Sequence, residues 1–405
     1  MKIMGEKRNF AWPVTTLCKF DYYALKKIME ENHNLFQDKK IIIMGAGIRG
    51  TAFSLLLSQM GYQVTAFTDN NPIKVGGSIN EYPIWDFKEI MDIKEDCVVL
   101  ISVENGIALK KQLNEAGFVE NSQYFYVENH LYEKFLDEFL RSGPTETLVM
   151  GDCGVTDISK KDKNFTNLSE LIKEALGEEQ TKVLAVHAMG MRAYYHILSA
   201  QIKFVTKPQK VVIMANFETF TGKQHILPRS QHAKLFEMLS ESVQHRDEEL
   251  EEYAGVTKER FDNFKVDYFT SSRQAMENMT SGRNDRIVIR MNYMYELRED
   301  NENICYMNRI IHMCAENGIR LFFFIPPANY MYAEELFGDK FAEKYGKNVE
   351  RLKDIVAEQG SEVLDLSYLL TSSQFADIHT IDETTNYEGR VLVKDQLVKK
   401  INSMR

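Results

Sequence analysis

The chain has 405 residues, with 49 lysines and arginines against 59 aspartates and glutamates, for a formal charge of −10. That acidic balance argues against a general nucleic-acid binder, which needs a basic surface to displace counterions. A hydrophobic fraction of 44% with 27% charged residues is ordinary for a soluble globular protein and too apolar for disorder. The length leaves room for two or three domains, each with its own core.

Cys18, Cys97, Cys153, Cys305 and Cys314 form no CxxC pair, so a zinc knot or thioredoxin-like motif is not expected. Their odd number and wide spacing fit reduced thiols in a cytoplasm. The opening residues, MKIMGEKRNFAWP, lack the apolar stretch of a secretory signal. No run approaches the ~18 apolar residues of a membrane-spanning helix. The reading is a cytoplasmic protein without a transmembrane segment, its oligomeric state open to self-association.

In chain order, residues 1–37 form a lead-in with a short amphipathic helix over Tyr22–Met29. Lys40–Met44 reads as a buried strand running into Gly45–Ala46–Gly47–Ile48–Arg49–Gly50 and a helix through Met60, which Gly61 ends. Tyr62–Phe67 makes a second strand with Asp69 at its carboxyl end, and Cys97–Ser102 a third. The alternation implies a parallel sheet with helical crossovers, a Rossmann-type domain over residues 38–130. Residues 131–146 read as a linker helix that Gly143–Pro144 breaks. A second strand–helix series begins at Thr147–Met150, with later strands expected at Lys182–Val186, Lys210–Met214, Arg320–Ile325 and Glu362–Leu366. A helical, charged insertion is expected over about 230–315. The fold class is α/β throughout.

Gly45-x-Gly47-x-x-Gly50 follows a strand and opens a helix, the context in which such a turn cradles a pyrophosphate. The helix start adds free N–H groups and a positive dipole end. Asp69, 19 residues beyond Gly50, suits an acidic group that holds a ribose hydroxyl. The alternative is a fold that kept the turn and binds nothing. With Asp69–Asn70–Asn71, Gly76–Gly77 and Tyr82–Pro83–Ile84, the segment resembles small Rossmann domains attached to bacterial enzymes of surface-polysaccharide and sugar-nucleotide metabolism. The resemblance implies NAD(P) or a nucleotide-sugar as ligand, without choosing between them.

Leu148–Val149–Met150–Gly151–Asp152–Cys153 resembles the first block of the SGNH hydrolase superfamily, where Gly-Asp-Ser carries the nucleophile. The resemblance implies a flavodoxin-like α/β/α domain over 147–405, with Cys153 as nucleophile and Gly190 and Asn216 as oxyanion donors. A cysteine thiolate can attack an acyl carbon, and a helix start lowers its pKa; the bland alternative is a small buried residue. For Asn216 the alternative is a turn residue or helix cap.

The last block has two registers. In one, Asp377-x-His379 supplies the carboxylate and the base. In the other, Asp382-x-x-Thr385–Asn386–Tyr387-x-Gly389 matches the block's tail, and a threonine stands near the histidine's place. Threonine is no general base near neutral pH. Asp377 or Asp382 would orient the His379 ring. Arg320–Ile325 followed by Pro326–Pro327 resembles the strand and Pro-Pro loop of SGNH-like proteins that act on polysaccharides. His225, Arg229 and His232 could receive an anionic or sugar substrate, or simply form a solvated helix entrance. No metal is expected, since no carboxylate or cysteine joins these histidines at ligand spacing.

The expected function is an acyltransferase or esterase acting on a carbohydrate in surface-polysaccharide biosynthesis. The alternatives are a catalytically retired glycan- or partner-binding protein and an NAD(P)-dependent sugar-modifying enzyme.

Overall fold

The computed structural model describes residues 16–103, 106–127, 131–159, 162, 164, 166–186, 189–221, 230–243, 248, 250, 285–379, 381 and 384–404. The chain divides into an N-terminal unit reaching residue 130 and a C-terminal unit that begins at Leu131.

In the N-terminal unit, α1 (Lys19–Glu31) and α2 (His33–Asp38) lead into β1 (Lys40–Met44). Then follow α3 (Ile48–Gln59), β2 (Val64–Thr68), β3 (Ser78–Ile79), β4 (Tyr82–Trp85), α4 (Phe87–Asp92), β5 (Cys97–Ile101), α5 (Ile107–Glu115) and β6 (Tyr124–Tyr126). The sheet runs β3-β4-β2-β1-β5-β6, parallel except for the β3–β4 hairpin. Counting only the parallel strands, this is the doubly wound order 3-2-1-4-5. The strands are apolar without alternation because both faces are covered. Ile41 and Ile43 meet Phe53, Leu56 and Leu57 of α3, while Ile42 and Met44 meet Ile90 of α4 and Leu113 of α5. The Gly76–Gly77 segment closes onto the hairpin through Gly76 N–H to Ile84 O and Ile84 N–H to Gly77 O, both 2.9 Å.

The C-terminal unit opens with α6 (Leu131–Leu140), then β7 (Thr147–Gly151), α7 (Cys153–Thr156), α8 (Leu168–Leu176), β8 (Thr181–Ala185), α9 (Met191–Ala200) and β9 (Lys210–Met214). A short turn at Phe217–Thr221 follows. Between β9 and the next strand lie α10 (Ser230–Ser242), α11 (Asp285–Asn292) and α12 (Glu302–Glu316), with turns and irregular chain over 293–301. The chain ends with β10 (Arg320–Ile325), α13 (Tyr330–Phe337), α14 (Asp339–Glu358), β11 (Glu362–Asp365) and α15 (Tyr387–Ser403).

The five strands run β8-β7-β9-β10-β11, all parallel, the 2-1-3-4-5 order of flavodoxin-like sheets. Val149, Val212, Phe322 and Phe324 pack beneath Leu168 and Ile172 of α8 and Val393 and Leu397 of α15. α9 and α12 pack together. Helix α6 is part of this unit and covers the exposed edge of β8. Glu138 accepts from Val183 N–H at 3.1 Å, Lys182 Nζ donates to Phe139 O at 2.9 Å, and Arg141 donates to Thr181 O at 2.7 Å. Such capping removes the free N–H groups that would otherwise recruit another strand.

Candidate functional site

Both sheets place their polar loops at the carboxyl ends of the strands, where ligands enter doubly wound folds at the point of strand reversal. In the N-terminal unit that point lies between β1 and β5. Gly45 there has φ +117, a conformation in which a side chain is strained, and a Cβ on it would fall 2.7 Å from Ser102 Oγ. A Cβ on Gly50 would meet Gly45 O at 2.1 Å, so α3 can close on the turn only with glycine. A Cβ on Gly47 would meet nothing within 4 Å, which leaves that side open to a ligand.

Asp69 sits as expected at the end of β2, but its carboxylate is engaged. Oδ2 accepts from Ala46 N–H at 2.9 Å and from Lys74 Nζ at 2.8 Å, and Lys74 also donates to Ala46 O. Oδ1 accepts from Asn71 N–H at 2.9 Å, which accounts for the Asp-Asn-Asn turn. A ribose would have to compete with Lys74, a residue the sequence reading passed over.

In the C-terminal unit the reversal lies between β7 and β9, and two candidate residues flank it. Asp152 ends β7 and caps α7, its Oδ1 accepting from Gly154 N–H at 2.9 Å. Across the gap, Asn216 donates from Nδ2 to Asp152 Oδ2 at 2.8 Å, while its Oδ1 accepts from Glu218 N–H at 2.8 Å. Glu218 in turn accepts from Asn292 Nδ2 at 2.8 Å. Cys153, half-buried, opens α7 beside this pair. Gly190 follows the neighbouring β8 and caps α9 in extended backbone. The next N–H, of Met191, donates to buried Asn303, which donates to Thr219 O at 2.8 Å and so ties α9 to the turn after β9.

Asp152, Asn216 and Cys153 thus meet at one point, with Gly190 one strand away. His379 is exposed, on the loop between β11 and α15. Its ring is edge-on to Tyr332, 5.8 Å between centroids, and Asp377 Oδ1 accepts from its backbone N–H at 3.0 Å. That loop is tied to the sheet by buried Asn329, whose Nδ2 donates to Ile378 O at 3.1 Å. Asp382, His225 and Arg229 lie outside the described residues, as does the side chain of His232. The tail Thr385–Arg390 is a helix start. Asn386 caps α15 through Gly389 N–H at 3.1 Å, and a Cβ on Gly389 would lie 2.5 Å from Gln374 O.

The sequence reading missed two residues here. Asp152 was visible inside Gly-Asp-Cys and Glu218 lies two residues past Asn216. A cavity of about 420 Å³ lined by Cys314, Arg320, Glu362 and Lys400 sits at the opposite, amino-terminal edge of the sheet and shares none of these residues.

Burial pushes the Asp152 carboxyl from 3.8 up to about 6, against the lowering effect of its two donors. With the folded value above the unfolded one, the folded state holds an extra proton between about pH 4 and about pH 6. Stability therefore falls as pH rises through that window, by about 3 kcal/mol at most. Asp152→Asn should remove this component. Urea unfolding should show the variant more stable at pH 7, relative to pH 4, than the parent is, by up to about 3 kcal/mol, and parallel behaviour of the two proteins would refute the assignment.

Among the described residues no cluster of histidine, cysteine or carboxylate side chains could hold a metal, and no helix is long and apolar enough to cross a membrane. The family described as C2185-like, N-terminal, matches residues 37–123, within the N-terminal unit. No curated protein matches the chain. Among solved structures, the chain is similar to LAE5, an alpha/beta hydrolase enzyme from the metagenome of Lake Arreo, Spain, at 10% identity and a TM-score of 0.30, over 66% of this chain and 99% of that one. The fold assignment rests on the strand orders.

Proposed function

We propose that the C-terminal unit is an SGNH-like acyl-transfer enzyme, an acyltransferase or esterase acting on a carbohydrate in surface-polysaccharide biosynthesis. Cys153 is the nucleophile, Asn216 and Gly190 hold the oxyanion, and His379, oriented by Asp377 or Asp382, is the base. The turn at Gly45, Gly47 and Gly50 receives the diphosphate of a nucleotide or nucleotide-sugar. The observation that carries the reading is the Asn216–Asp152 hydrogen bond, which locks a side-chain amide beside the cysteine at the point of strand reversal. In this chemistry the sulfur bonds to the acyl carbon, the thiol proton passes to the base, and the ester's alkoxide leaves with that proton. A sugar hydroxyl or water then takes the acyl group and restores the thiol.

Incubation with p-nitrophenyl acetate should leave an acetyl adduct on Cys153, seen by peptide mass spectrometry, and Cys153→Ala should lose both adduct and turnover. Turnover that persists in Cys153→Ala would sink the mechanism. One observation favours a second reading, a retired enzyme that binds glycan. Thr385, near the place where the resemblance expects a histidine, is buried and serves the helix start. That reading predicts glycan binding which survives Cys153→Ala and His379→Ala, with no turnover in any form.

A further inference from the structure

The cavity of about 420 Å³ lies where β10 and β11 begin, at the end of the sheet away from Asp152 and Asn216. Part of its lining is apolar and buried: Ile311, Cys314, Ile319 and Phe322 are each no more than 6% exposed. Burial pushes the Cys314 thiol up to about 12, so it serves there as a neutral, apolar group. The charges of the lining come from Arg320 at the start of β10, Glu362 at the start of β11 and Lys400 in the last turn of α15. Lys400 is paired with Glu362, and its ammonium lies 6.0 Å from the centre of the Phe322 ring. Arg320, half-buried, donates from Nη1 to Met404 O at 2.7 Å and meets no carboxylate among the described residues. Two cations against one carboxylate leave the cavity with one positive charge in excess, and that charge sits on a guanidinium.

We propose that this cavity binds a small monocarboxylate with an apolar tail, its carboxylate on Arg320 and its tail against Ile311, Ile319 and Phe322. A guanidinium fork matches the two oxygens of a carboxylate, and a single excess charge suits a monoanion rather than a phosphate dianion. Lys400 keeps Glu362 and still has N–H groups to offer the same head group. The volume is within the range of small-molecule sites, and the mixture of apolar wall and few polar groups is their usual character. No residue of the acyl-transfer reading lines the cavity, so binding here is independent of that chemistry.

The test uses the full chain with labelled isoleucine methyl groups, followed by NMR. Octanoate is the probe, with octan-1-ol as tail without charge and acetate as charge without tail. Octanoate should shift the Ile311 and Ile319 methyl signals saturably, and the other two should not at the same concentration. Arg320→Met should weaken octanoate binding roughly 10- to 100-fold, the scale of losing a charged hydrogen-bonded partner. Ala315→Phe, at an exposed position of α12 that lines the cavity, should block binding while the melting temperature holds. Silent Ile311 and Ile319 signals, octan-1-ol binding as tightly as octanoate, or an unchanged affinity in folded Arg320→Met would each overturn the proposal. Should Arg320→Met fail to fold, Ala315→Phe decides, and an unchanged octanoate affinity there overturns it equally.

Discussion

Asp162→Ala is expected to destabilise the C-terminal unit by about 3–5 kcal/mol, the cost of stranding a buried cation. Arg390 is 1% exposed and meets Asp162 at 2.7 Å, with the Asp162 side chain 8% exposed. The rest of the guanidinium donates to backbone oxygens: Thr385 O at 2.7 Å, Thr166 O at 3.0 Å and Asn164 O at 3.1 Å. Those carbonyls satisfy N–H groups but do not neutralise the charge, so among the described residues the carboxylate is the one partner whose loss leaves an ion in the interior. The effect should reach the candidate site. Ala376 N–H donates to Thr384 O, and Phe375 pairs with Thr385, closing the base of the loop that carries Asp377 and His379. Arg390 holds that base through Thr385. Hydrogen exchange across 387–403 should speed up in Asp162→Ala, and urea unfolding followed by circular dichroism should shift to lower midpoint. Asp162→Ala combined with Arg390→Met should recover most of the loss, since no charge then remains buried. A single-variant cost under about 1 kcal/mol would place the pair in solvent instead.

The central strands β1, β5, β7 and β9 were legible because each is buried on both faces and therefore reads as an unbroken apolar run; the short β3, β4 and β6 gave no such run. The start of β2 was not legible either, since Tyr62 extends the apolar run but belongs to the packing of α2. Its hydroxyl meets His33 Nδ1 at 2.6 Å and its ring lies edge-on to Phe36. The glycine turn was legible because its three glycines answer three separate steric demands, whereas the engagement of Asp69 depends on how Lys74, five residues on, folds back over the turn. Asn216 and Asp152 could each be read from position after a strand. Their mutual hydrogen bond could not, because it joins residues 64 apart in sequence through strand order. Thr385–Arg390 shows the opposite difficulty: a tail that resembles a catalytic block is fully accounted for by a cap, a close approach at Gly389 and a buried ion pair.

Asn216→Ala is expected to lower kcat for an acyl ester by about 100- to 1000-fold, the range for losing one preorganised oxyanion donor. Preorganisation is the reason to expect so much. The amide is 3% exposed, its oxygen is held by Glu218 N–H and one N–H by Asp152, so its plane is fixed before substrate arrives and the second N–H needs no reorientation. The substitution also removes a donor from Asp152, which should cost about 1–3 kcal/mol of stability for the unsatisfied oxygen. It should push the Asp152 carboxyl further above about 6, because the hydrogen bond from Asn216 is one of the influences that lower it. These two consequences separate a catalytic role from a structural one. If Asn216 only supports Asp152, the variant should lose stability yet keep a kcat within tenfold of the parent when assayed well below its melting temperature. If the amide binds the oxyanion, the rate should collapse in protein that is still folded, with KM nearly unchanged, because the interaction grows only as charge develops on the carbonyl oxygen.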